Sequence, residues 1–156
     1  MNGLATDRRG LVILSLEECE RLLGDNTLGR VAVMASGEPL VVPILYRYID
    51  GAIVFRTEPG EKMDAVWLHS PMAFEIDGWD TARQTGWSVL VRGRPETVYD
   101  DEAVKAYDGL GLESWLAPHQ SSTWIRIRPT DISGRRIPES HEVPPVANPG
   151  TGEWAT

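Results

Sequence analysis

The sequence holds one cysteine, Cys19, in 156 residues. That excludes an intrachain disulfide and a zinc site built on several thiolates. Long apolar runs are missing too. In the opening stretch MNGLATDRRGLVILS the only one covers residues 11–14. A signal-peptide core takes about 7–15 apolar residues and a membrane span about 20. The expectation is a cytoplasmic protein with no membrane partner. Positive charge is in deficit, with 15 Lys and Arg against 23 Asp and Glu, a net −8. Such a chain repels phosphate backbones, and its basic clusters are no larger than Arg8 with Arg9 and Arg135 with Arg136. No nucleic-acid partner is expected. His69, His119 and His141 are widely separated, which gives no metal-ligand spacing. No serine sits in a nucleophile elbow, and no carboxylate pair announces general acid–base work.

The length suits one domain, and its elements read as mainly β with short helices. Ser15-Leu16-Glu17-Glu18 is a capping box. It opens an amphipathic helix over residues 15–24 with Leu16, Cys19, Leu22 and Leu23 on one face. From Gly29 the apolar period shortens to two. Strands over 29–34, 40–48 and 52–57 follow, joined by a turn at 36–39 and an Asp50-Gly51 hairpin. Pro43 conflicts with a central strand because it cannot donate to a ladder. It marks an edge, a bulge, or a place where something other than a strand approaches the backbone. A second helix is expected over 61–69, a strand over 72–77, a polar loop over 78–85 and a long strand over 86–99. A third helix over 100–110, capped by Asp100, and strands over 123–128 and 132–137 complete the domain. The pattern predicts about six antiparallel strands in a closed or partly closed barrel. Residues 1–10 read as a flexible N-terminus and 138–156, rich in Pro, Glu, Asn and Gly, as a disordered tail.

One segment carries chemistry. In Phe55-Arg56-Thr57-Glu58-Pro59-Gly60-Glu61-Lys62 a strand ends at Thr57, a glycine turn follows, and a lysine enters the first turn of the expected helix. A hydroxyl, a bare backbone, free helix N–H groups and a cation together suit a phosphate. A surface lysine after an ordinary turn would give the same spacing.

The segment resembles the phosphate-binding corner of the pyridoxamine 5′-phosphate oxidase-like flavoproteins. Val42-Pro43-Ile44 is similar to the family strand that runs under the flavin ring. Gly86-Trp87-Ser88-Val89-Leu90-Val91-Arg92-Gly93 is similar to a strand with a polar cofactor contact at the position of Ser88. The stretch from Trp124 to Arg136 resembles the last strands of actinobacterial members. The resemblance covers about residues 11–137.

It implies a split β-barrel homodimer with FMN in the groove between subunits. The implied cofactor residues are Pro43, Ile44, Arg56, Thr57, Gly60, Lys62, Trp87 and Ser88. Trp67, Trp79, Trp87 and Trp115 then fit an aromatic-rich interface as well as a core. Family members that oxidise pyridoxamine 5′-phosphate carry an Arg-x-His element near the C-terminus, and Ser133-Gly134-Arg135-Arg136-Ile137-Pro138 departs from it, so the substrate stays open. The implied activity is an FMN-dependent oxidoreductase, with a non-catalytic flavin carrier or redox sensor as the alternative. Relatives of this barrel also hold the deazaflavin F420 or haem. The charge of −8 disfavours the polyglutamate tail of F420, and none of the three histidines is well placed to ligate haem.

Overall fold

The computed structural model describes residues 5–57, 70–112 and 122–139. The elements are β1 (Val12–Ile13), α1 (Leu16–Asp25), β2 (Leu28–Ala35), β3 (Glu38–Ile49), β4 (Ala52–Thr57), β5 (Met72–Asp80), β6 (Thr85–Thr97), α2 (Asp101–Asp108) and β7 (Thr123–Arg136). Gly60, Lys62, the helix expected over 61–69, Trp67, Trp115 and all three histidines lie outside the described residues.

All pairings are antiparallel. The order β7-β4-β3-β2-β5-β6 closes on itself because β6 also pairs with β7, and β1 adds to the outer edge of β7. Six strands therefore form the barrel, as the alternating pattern predicts, and β1 makes a seventh. Closure removes the exposed edges that an open sheet would present.

The barrel interior holds Val31, Tyr46, Ile53, Phe55, Phe74, Val89 and Ile127, all fully buried. Helix α1 packs against this core with Cys19 and Leu23. Its capping box is formed: Ser15 Oγ accepts from Glu18 N at 3.2 Å, and Glu18 Oε2 accepts from Ser15 N at 2.8 Å. Those two bonds hold the Glu18 carboxyl below its usual range. Tyr46 ties helix to barrel. Its hydroxyl donates to Leu23 O at 2.8 Å, and its ring meets Phe74 edge-on at 4.7 Å.

A second, smaller core explains why β4 reads as an unbroken apolar run and not as an alternation. Ile53 and Phe55 face the barrel interior, while Val54 packs outward with Val98, Tyr107, Leu112 and Trp124 beneath α2. Asp100 caps α2 by accepting from Ala103 N at 2.8 Å, and Asp108 at its end accepts from Trp124 Nε1 at 2.8 Å.

Two expectations change in detail. The polar loop over 78–85 shrinks to 81–84, because β5 runs on to Asp80 and β6 begins at Thr85. Glycines 78 and 86 are strand residues here, each covered by an indole from the opposite strand. The strands expected over 123–128 and 132–137 are one strand, β7, bent at a register shift opposite Arg92 and Gly93. Gly93 makes that bend possible. A Cβ there would stand 2.3 Å from the Arg128 carbonyl oxygen, a backbone atom with nowhere to go. Gly93→Ala should therefore destabilise the fold by about 1–3 kcal/mol, the usual cost of overpacking, measured as a lower urea midpoint at unchanged m.

Candidate functional site

The register between β3 and β4 runs from Ile49–Ala52 to Tyr46–Phe55 and stops there. Strand β4 continues for two residues, Arg56 and Thr57, paired only with Trp124 and Thr123 of β7. Extended by two steps, the β3 register would have set Ile44 against Thr57. The ladder stops instead, which leaves residues 43–45 and residues 56–57 unpaired with each other, a place referred to as the wedge.

Pro43 belongs to this wedge. Tyr46 N donates to Thr27 O at 2.9 Å, toward β2. Strand alternation then turns the Pro43 nitrogen the other way, to the edge that β4 has left. Pro43 is paired with Arg30 of β2 on its other side. The conflict noted in the sequence resolves as a local edge inside a long strand.

Thr57 is the only buried polar residue among those described, at 8% exposure. Arg56, its neighbour on the opposite face of β4, lies with its guanidinium carbon 5.0 Å from the Trp124 ring centroid. Its Nε is buried and has no hydrogen-bond partner among the described residues. A buried donor without an acceptor costs about 1–3 kcal/mol, more when charged, and such groups call for a reason. An anion at the end of β4 is one that fits. Pro43 and Ile44 on β3 and Arg56 and Thr57 on β4 thus lie just past the end of the β3–β4 ladder, ahead of Gly60 and Lys62 in the chain.

Trp87 and Ser88 lie elsewhere. They are on β6, three strands round the barrel from Pro43, about 14 Å at the usual strand spacing. Each lines a cavity of about 300 Å³ with Trp79, Arg135 and Arg136. Ser88 is opposite Asp77, whose carboxylate stands 3.4 Å from Arg30, which also reaches Glu75 at 3.4 Å. Burial and the Asp77 charge push the Glu75 carboxyl up, against the pull of Arg30. The ion pairs run across the outer face of the sheet between the wedge and the cavity.

Two features escaped the sequence. Trp124 was read only as part of an alternating strand, and nothing in its spacing marks the stacking on Arg56. The cavity did leave a signal: Gly-Trp occurs at 78–79 and again at 86–87. A hairpin centred between them sets Gly78 opposite Trp87 and Trp79 opposite Gly86.

The family model described as pyridoxamine 5′-phosphate oxidase matches residues 15–136. The chain belongs to the pyridoxamine 5′-phosphate oxidase family. An uncharacterized protein of Mycobacterium tuberculosis is 32% identical over 141 residues, 87% of this chain and 91% of its own length. Among solved structures, an FAD-binding protein from Mycobacterium smegmatis is similar at 33% identity and a TM-score of 0.71, covering 81% of this chain and 98% of its own. An FAD-binding protein from Mesorhizobium loti is similar at 28% identity and a TM-score of 0.67, covering 83% and 100%. The split-barrel fold of this pyridoxamine 5′-phosphate oxidase-family chain follows from these matches together with the strand order. No helix among its described residues is long and apolar enough to cross a membrane.

Glycines 78 and 86 hold the indoles of this second region. A Cβ on Gly78 would lie 2.6 Å from Trp87 Nε1, and one on Gly86 would lie 2.8 Å from both Trp79 Cε3 and the Gly78 carbonyl oxygen. Gly78→Ala should displace the Trp87 ring, changing the near-UV circular dichroism of the folded protein and lowering its melting temperature. An unchanged near-UV spectrum would mean that the indole is not seated as described.

Proposed function

We propose that this protein binds a flavin nucleotide, with the flavin phosphate at the β3–β4 wedge, and acts as a flavin-dependent oxidoreductase. The buried, unpartnered Arg56 Nε beside Thr57 carries the reading. It is a cation held in place by Trp124, short of one acceptor, and Gly60 and Lys62 follow it in the sequence. The resemblance implies FMN, whereas the two similar solved structures are FAD-binding proteins, which favours FAD. The phosphate nearest the ribityl chain is common to both, so the corner suits either. Bound flavin supplies the redox chemistry, and the protein contributes position, electrostatics and exclusion of water. On this reading Pro43 and Ile44 offer the ring an open strand edge, and Arg56, Thr57 and Lys62 hold the phosphate.

The outer face of β2 and β3 supports a homodimer. Leu28, Met34 and Val41 are 44%, 53% and 61% exposed there, with Pro39 and Pro43 beside them. These exposed apolar side chains, with Arg30 among them on β2, suit an interaction surface beside the wedge. A second copy on this face would close the wedge from water and bring its own Trp87 or Ser88 toward the cofactor. Val41→Asp should shift the protein to monomer in sedimentation analysis and weaken flavin binding with it. A variant that stays dimeric would remove this face as the interface.

The flavin reading has a direct test. The purified protein should show flavin absorption bands, and the molecule released on denaturation should be FAD or FMN by mass. A Soret band or deazaflavin fluorescence would replace it with haem or F420. Arg56→Met and Lys62→Ala should each weaken flavin binding by about 1.5–3 kcal/mol, the scale of a lost charge-assisted hydrogen bond. Arg56→Met should leave the melting temperature of the flavin-free protein unchanged or higher, because it removes an unsatisfied buried donor. Unchanged flavin affinity in both variants would eliminate the phosphate corner. Anaerobic mixing with NADH or NADPH then separates oxidoreductase from carrier or sensor, since a carrier's flavin stays oxidised.

A further inference from the structure

Arg56 keeps its place by stacking, with its guanidinium carbon 5.0 Å from the Trp124 ring centroid. Whatever fixes the indole therefore fixes the cation. Trp124 is 3% exposed and lies in the second core with Val54, Val98, Tyr107 and Leu112. Tyr107 meets it edge-on, with ring centroids 5.5 Å apart and planes at 60°. Such packing holds the ring in its slot, but a buried indole nitrogen still needs an acceptor. Asp108 supplies it: Oδ1 accepts from Trp124 Nε1 at 2.8 Å.

Helix physics does not explain an aspartate there. Asp108 is the last residue of α2, where a carboxylate meets the negative end of the helix dipole and is mildly unfavourable. It is exposed, so core packing does not explain it either. The bond to the indole does. An ionised acceptor holds an N–H more strongly than a neutral one. Hydrogen bonds also polarise their neighbours, so a carboxylate at the indole nitrogen enriches the ring in electrons. A richer ring face attracts a guanidinium more strongly. Carboxylate, indole and guanidinium are thus linked one to the next, from the end of α2 to the end of β4. The last of them carries the buried Nε that lacks an acceptor among the described residues.

We propose that Asp108 is a positioning residue for the phosphate corner: through the Trp124 indole it fixes the plane on which Arg56 stacks, and so sets how tightly the corner holds a phosphate. This rests on the flavin-phosphate reading of the wedge. Its sign is opposite to that of plain electrostatics. A carboxylate near an anion repels it, so by charge alone the loss of Asp108 would strengthen phosphate binding. Acting through Trp124, its loss weakens phosphate binding.

The probes are FMN and riboflavin, which differ by the phosphate, titrated by calorimetry into the full-length protein freed of flavin. Asp108→Leu should bind FMN about tenfold more weakly than wild type, the scale of a desolvated cation–π contact, and riboflavin equally well. Asp108→Asn keeps an acceptor at the indole nitrogen and should fall between wild type and Asp108→Leu. In an Arg56→Met background, Asp108→Leu should change FMN affinity no further, because the route runs through Arg56. A merely structural role would weaken both flavins and persist in that background. FMN binding unchanged or tighter in Asp108→Leu, riboflavin lost in step with FMN, or a full effect of Asp108→Leu without Arg56 would each overturn the proposal. If wild type prefers FMN to riboflavin and Arg56→Met loses that preference while Asp108→Leu keeps it, the proposal fails and the phosphate corner stands. A wild type that binds FMN no better than riboflavin, or binds neither, fails the phosphate reading itself and takes the proposal with it.

Discussion

The site depends on where β3 and β4 stop pairing. Tyr46 and Phe55 form the last pair of that ladder, and both side chains are fully buried. Tyr46 is fixed three ways: by its hydroxyl on Leu23, by its ring on Phe74, and by its amide on Thr27. Phe55 is fixed by the barrel interior and by Ile125 across the β4–β7 ladder. Beyond that pair β4 follows β7 and β3 follows β2, so the barrel splits at a place its core determines. The wedge is a consequence of packing on the β3–β4 side.

The same split decides what each residue near it can do. Arg56 and Thr57 leave β4 on opposite faces, one over Trp124 under the second core and one toward the barrel interior. A ligand lying beyond the strand end can meet both, whereas a ligand on either face meets one. Trp124 holds Arg56 by its ring face, and its own indole nitrogen is committed to Asp108. Nearby, burial alone would raise the Glu96 carboxyl, but the hydrogen bonds from Arg126 and Arg128 outweigh it and keep the group below its usual range. Those arginines are therefore neutralised locally, and Arg56 is the cation of this region whose buried donor lacks an acceptor.

Much of this was legible in the sequence because it rests on local rules. The capping box at Ser15 and Glu18, the Asp100 cap, the Asp50-Gly51 hairpin and the alternation of the strands each follow from a few adjacent residues. So does the meaning of Pro43, which could be narrowed to an edge, a bulge or an approach, and proved a local edge. What escaped depends on residues far apart in the chain. Polar composition made residues 78–85 look like a loop, yet Gly78 and Gly86 are strand positions because the opposite strand's indoles lie across them. Likewise Arg56 and Trp124 meet only through the β4–β7 ladder, and the bend of β7 requires Gly93 from β6. The resemblance also named Trp87 and Ser88 as cofactor residues, and within one chain they stand three strands from Pro43.

That separation bears on how the molecule would work. In the proposed reading the flavin phosphate and ring would take residues that one copy of this chain carries at different places on the barrel. On the outer face between them Leu28, Met34 and Val41 are exposed around Arg30, which pairs with Glu75 and Asp77 of β5. Covering exposed apolar side chains is favourable, and on the proposed reading a second copy on this face would join the two sets of residues. On the proposed reading, dimerisation and cofactor binding would be coupled by geometry. A cofactor that touches both subunits stabilises the dimer by mass action, and a dimer that shapes the groove raises the affinity for cofactor.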